Sequence, residues 1–200
     1  GVPGVDVLPN GVDAEFYTPG PVVDDRTAVF WGRLDFGPNI QALEWFCRRV
    51  WPSVIEQAPN ARFTIVGFNP GDAVRQLADG RGISLLANLP DIRDEVRRHA
   101  VAVLPFVSGA GIKNKLLEAA AMGLPIVCTP TALLGLRGGG LPFSVANTPS
   151  SFAKGLLAVW ADHDRRASER LAVREWVIQH HTWAASAREA LRPLEGTRVS

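Results

Sequence analysis

Two cysteines in 200 residues are too few for a disulfide framework or a cysteine metal site. Cys47 falls in an apolar helical pattern and Cys128 in a valine-rich strand, so both read as small core hydrophobes of a reducing compartment, and the chain is placed in the cytoplasm. An excess of one charge is also lacking. Twenty-one Lys and Arg against twenty Asp and Glu leave a formal +1, with basic and acidic residues interspersed, which argues against a nucleic-acid partner. The one stretch that resembles a membrane span, residues 116–136, carries Glu118, Pro125 and Pro130, all costly in a lipid-exposed helix. No GxSxG, HExxH, CxxC or Walker-type P-loop occurs, which removes the commonest serine-hydrolase, metalloprotease, redox and NTPase chemistries. Internal repeats and low-complexity segments are missing too. The chain begins at Gly1 without Met or a basic-plus-apolar leader, as expected of a domain excised from a longer product.

What is present fits one globular domain, 46% hydrophobic and 20% charged. Short apolar runs alternate with segments of helical period, the pattern of an α/β protein with a mostly parallel sheet and helices on both faces. Strands are expected at 5–8, 27–31, 61–67, 83–86, 101–106, 126–129 and around 143–146. Apolar residues from Ile40 to Ile55 recur at three- and four-residue steps, which predicts one helix entered at Pro38 and kinked at Pro52. Further helices are expected at 72–79, 91–99 and 112–122, another from about Phe152 capped by Ser150 or Ser151, and more through Trp176 and Leu191.

In such a sheet ligands gather beyond the carboxyl ends of the strands, where helix N-termini offer unpaired N–H groups. The most informative loop there runs Ser108-Gly109-Ala110-Gly111 into a helix whose first turn is expected to hold Lys113 and Lys115. Small residues let backbone amides approach a phosphate, and the helix dipole and lysines add positive potential. Glu118 lies in an otherwise apolar stretch, where a carboxylate can accept both ribose hydroxyls or simply pair with Lys115. Arg33 follows the strand ending at Gly32, where it can grip a diphosphate or pair with Asp35. Other groups read as structural: His180-His181 has no ligand cluster beside it, His99 suits a helix end, Gly138 to Gly140 form a loop, and the tryptophans belong to the core.

The motifs add up in order. Val7-Leu8-Pro9-Asn10-Gly11-Val12-Asp13 resembles the V-x-P-N-G-V-D segment that opens the C-terminal domain of retaining GT-B glycosyltransferases of family 4. Gly32-Arg33-Leu34 resembles the family's G-R-L turn, Ile65-Val66-Gly67 its I-V-G strand, and Asn88 to Asp91 the end of its G-x-V-x-D segment. Residues 111–127 are similar to its signature stretch, closest to the variant G-x-G-x-K-x-K-x-L-E-A-x-A of polysaccharide and exosortase-associated sugar transferases.

The resemblance implies one C-terminal GT-B domain over residues 1–200. A Rossmann-like, doubly wound core would span about 5–160, and terminal helices at about 161–195 would cross toward an N-terminal domain absent from this chain. It implies a nucleotide-diphosphate sugar as donor substrate, with no metal or other cofactor. Glu118 would hold the ribose, Gly32 and Arg33 the diphosphate, and Leu89, Pro90 and Asp91 would lie along the base. Gly109, Ala110, Gly111, Ile112 and Lys113 would face the phosphates and sugar, and Arg33, Lys113 and Glu118 would serve catalysis.

Two departures stand out: the position of the family's first motif Glu is Ala110, and the usual lysine after Arg33 is missing, its charge assigned to Lys113. The acceptor, a saccharide or a lipid-linked one at the inner face of a membrane, would reach the site through the absent domain. Peripheral membrane association stays open, although no amphipathic basic helix is evident. The isolated domain is expected to bind donor and transfer little or no sugar. The alternative is a degenerate, non-catalytic GT-B-like binding or scaffolding module.

Overall fold

The computed structural model describes residues 10–21 and 26–195; the expected strand at 5–8 lies outside them. Six parallel strands, β1 (Thr27–Arg33), β2 (Arg62–Phe68), β3 (Ile83–Ala87), β4 (Val101–Leu104), β5 (Ile126–Cys128) and β6 (Ser144–Val145), line up as β3-β2-β1-β4-β5-β6. The first five residues of β1 and all of β4 are buried, which explains why these strands read as continuous apolar runs rather than alternating ones. The chain winds outward from β1 to β3, then returns beside β1 and winds the other way. The order therefore reverses between β1 and β4, and the loops leaving these two strands diverge around a crevice.

The expected helix over 40–55 is split. α1 (Gly37–Trp45), with Pro38 in its first turn, passes into a π-helical turn at Phe46–Val50 and then α2 (Trp51–Gln57). Pro52 has no N–H for an i−4 carbonyl, and the wide turn lets a new helix begin with proline in its first turn, where no such bond is needed. The turn also delivers Phe46 to the core, with ring centroids 4.6 Å from Phe63 and 5.7 Å from Phe152.

Next come α3 (Asp72–Leu77), α4 (Arg93–Val96), α5 (Asn114–Ala121), a 3-10 turn (Pro130–Leu133), α6 (Pro149–Ala161), α7 (His163–His180) and α8 (Trp183–Glu195). The helix expected at 91–99 is only the four residues of α4, and His99 lies beyond its end rather than capping it. It is buried, with Nδ1 2.8 Å from the Glu95 carbonyl and Nε2 3.0 Å from Thr64 Oγ1 on β2. α6 starts three residues earlier than expected because Thr148 is its N-cap, forming a reciprocal capping box with Ser151. Trp31, Trp51, Trp160 and Trp176 are core residues as expected, whereas Trp183 is 58% exposed. Both cysteines are buried, which pushes their thiols up to about 12.

The Gly138 loop packs against Trp176 and His180. His181 is buried, its Nε2 at the Arg137 backbone. At the same end Val12 forms a parallel bridge with Thr182 and donates its N–H to the His181 carbonyl at 2.7 Å. No helix among the described residues is long and apolar enough to cross a membrane.

Candidate functional site

The site grows from the ends of β1 and β4. At register with each other, Gly32 and Gly67 bring two backbones so close that a Cβ on Gly67 would overlap the Gly32 carbonyl. Gly32 itself has φ +136°, a conformation that side chains disfavour. Beyond it the chain turns into α1, and buried Asn39 secures the turn: its Nδ2 donates to the Arg33 carbonyl at 2.6 Å. Asn39 Oδ1 accepts from Lys115 Nζ at 3.2 Å, which ties the first loop to α5.

After β4, Phe106 is held by a hydrogen bond from Thr129 Oγ1 to its carbonyl, and the glycine loop follows. Lys113 is not in the first turn of α5 but at its N-cap, in extended conformation. Its Nζ donates to the carbonyls of Gly109, Ala110 and Gly111 at 3.0, 3.3 and 3.1 Å, curling the loop around the amine. The buried side of α5 carries Leu116, Leu117 and Ala119 to Ala121. Glu118 points instead toward β1, where it accepts from Trp31 Nε1 at 2.7 Å. The Tyr17 phenol lies near Glu118; burial, then the nearby carboxylate, push it up to about 12. The hydrogen-bond donor to Glu118 is therefore the Trp31 indole rather than Lys115.

Together these groups line a cleft of about 580 Å³, within the range of small-molecule sites. Of the residues singled out in the sequence, Gly32, Arg33, Gly109, Ala110, Ile112, Lys113 and Glu118 line it. Leu89, Pro90, Asp91 and Gly111 are not among the lining residues, although Ile92 is. Asp91 is engaged by Arg93, whose guanidinium holds its carboxyl down at about 2 and itself lies 3.7 Å from the Phe16 ring centroid. Arg33 is 71% exposed and forms the local pair with Asp35, at 2.8 and 3.1 Å, while still bordering the cleft. That pairing raises the Arg33 pKa and lowers that of Asp35.

Ten lining residues lie outside the site members assigned from the sequence, among them Tyr17, Trp31, Asn39 and Lys115, the last of which had entered only as a general source of positive potential or as a partner of Glu118. Lys115 is the cation whose environment is the most telling. Burial pushes its amine down to about 8, against the pull of Glu118 and with the help of Lys113. Its place in the K-x-K pattern was the available signal. Among the described residues no group of three or more His, Cys, Asp or Glu could hold a metal ion.

The family model of Glycosyl transferases group 1 matches residues 25–162. A Klebsiella pneumoniae protein described as an uncharacterized 44.6 kDa protein in the cps region is 28% identical over 140 residues, 64% of this chain and 36% of its own length. The chain thus spans about a third of that curated relative. Among solved structures, Anabaena HepE in complex with UDP superposes with a TM-score of 0.71 at 14% identity, covering 96% of this chain and 57% of HepE. The C-terminal domain of the group 1 family protein LpcC from Francisella tularensis gives 0.63 at 12% identity, covering 86% of this chain and 100% of that domain. The Rossmann-like α/β architecture expected of half a GT-B fold is thereby shown.

Proposed function

Since the chain belongs to Glycosyl transferases group 1, we propose that its cleft holds the nucleotide-diphosphate sugar from which a retaining enzyme of family 4 type transfers a sugar. One observation carries this reading: a carboxylate at the sheet's switch point, held by an indole donor with a phenol nearby, faces cations and a helix N-terminus across a cleft open to solvent. Glu118 is oriented to accept ribose hydroxyls, and Arg33, released from Asp35, meets the diphosphate. The Gly109 to Lys113 loop faces the phosphates and sugar, while Leu89 to Asp91, leading into Ile92, border the base.

As the glycosidic bond breaks, negative charge grows on the departing diphosphate, and Arg33, the lysines and the α5 N-terminus stabilise it without a metal. The acceptor, a saccharide or lipid-linked one, is presented by an N-terminal half outside this chain, so the 200 residues alone bind donor and transfer little or no sugar. The setting is cytoplasmic polysaccharide assembly, at the inner membrane face where the acceptor is lipid-linked, and the K-x-K-x-L-E stretch supports the exosortase-associated variant.

Calorimetric titration with UDP, GDP and ADP tests this, UDP first because HepE was solved with it. One nucleotide should bind, several-fold or more weakly after Glu118→Ala. Binding that ignores the substitution, or binding of none, overturns the assignment.

A further inference from the structure

We propose that Lys115, rather than Lys113, is the lysine that meets the diphosphate, an inference that rests on the nucleotide site proposed above. An ammonium has three N–H donors. Lys113 directs its donors at three carbonyls of its own loop, at 3.0 to 3.3 Å, so its amine is committed to the loop's shape. Lys115 makes one hydrogen bond among the described residues, to Asn39, which leaves two donors for a ligand.

The position of that amine fits the role. It lies 5.4 Å from the Phe30 ring centroid and 5.7 Å from that of Phe106, and it passes so close to Gly32 that a Cβ there would stand 2.6 Å from Cε and Nζ. Nζ therefore sits beneath the strand end from which Arg33 projects. Asn39 bonds both the Arg33 carbonyl and the Lys115 amine, so one side chain sets the spacing of the two cations.

The charge balance points the same way. Among the described residues Glu118 is the only carboxylate lining the cleft, and it accepts its hydrogen bond from Trp31. A largely buried ammonium with no ion-pair partner among the described residues, drawn on only by Glu118, carries a desolvation cost that a diphosphate offsets by supplying counter-charge. Aromatic faces at over 5 Å compensate only part of that cost.

The test titrates the chain and its Lys115→Met, Lys115→Arg and Lys113→Met variants with the nucleoside diphosphate that binds, and with its nucleoside. Lys115→Met should weaken the diphosphate by about tenfold to a hundredfold, as the loss of a charge-assisted contact implies, and leave the nucleoside's affinity unchanged. Its thermal midpoint should hold or rise, since an apolar isostere replaces a desolvated charge. Lys115→Arg should recover part of the affinity, and Lys113→Met should lose less than Lys115→Met. Unaltered diphosphate binding by Lys115→Met, equal losses for diphosphate and nucleoside, or a larger loss in Lys113→Met overturns the assignment to Lys115. Failure of the unsubstituted chain to bind any nucleotide overturns the underlying site reading instead, and this inference with it.

Discussion

The hydrogen bond from Trp31 to Glu118 joins core to cleft, and its strength can be isolated by removing each partner alone and both together. The indole is 1% exposed and its Nε1 lies 2.7 Å from Oε2, short for an N–H···O bond and directed at a carboxylate. Hydrogen bonds to charged groups contribute about 1.5–3 kcal/mol. Trp31→Phe deletes the donor to Glu118, while Glu118→Ala strands a buried indole N–H at a cost of about 1–3 kcal/mol. The void left by the shorter ring appears on both arms of the cycle and cancels. The double variant should therefore be more stable than the sum of the two single losses by about 1.5–3 kcal/mol, at the upper end of couplings between touching residues. Urea unfolding of all four proteins at pH 7, with m-values compared, measures this. Additivity within about 0.5 kcal/mol would refute the claim that the indole holds the carboxylate.

Gly32→Ala should lower the unfolding free energy by about 1–3 kcal/mol, because φ +136° strains a side-chain-bearing residue, and should weaken nucleotide binding as its Cβ displaces the Lys115 amine. Urea unfolding and a titration report the two effects, and a variant as stable as the parent would contradict the strain. Burial holds the His99 imidazole below its ordinary value of 6.5, with the Glu95 carbonyl opposing, so the folded state binds fewer protons than the unfolded one. Its contribution is complete above pH 6.5, declines as pH falls through the interval down to the folded-state pKa, and is constant below that. Urea midpoints between about pH 7.5 and 5 should show this decline, flattened in His99→Gln; an identical slope in the variant would assign it to other groups.

The central strands were legible because burial on both faces leaves an uninterrupted apolar run, as in Val101 to Leu104. Helix limits were less so. Periodicity carried straight through Phe46 to Val50, since a π turn adds one residue without breaking the apolar spacing. The 91–99 segment had helical composition, but only Arg93 to Val96 is helical, and His99 beyond it bonds Thr64, 35 residues away in sequence. The site divides in the same way. Glycines and charged residues after strands marked the cleft, whereas the indole that orients Glu118 comes from β1, 87 residues away, a distance in sequence that no local pattern encodes. Lys113 and Lys115 look equivalent as letters; only the loop's curl shows that the first amine is occupied and the second is open.

The bridge between Val12 and Thr182 has a mechanical consequence. Gly11 lies so near the opposite backbone that a Cβ there would stand 2.5 Å from the Trp183 nitrogen. The segment entering the fold and the one leaving α7 are thus clamped backbone to backbone at one point, so a side chain at position 11 would force that seam apart and loosen both segments together.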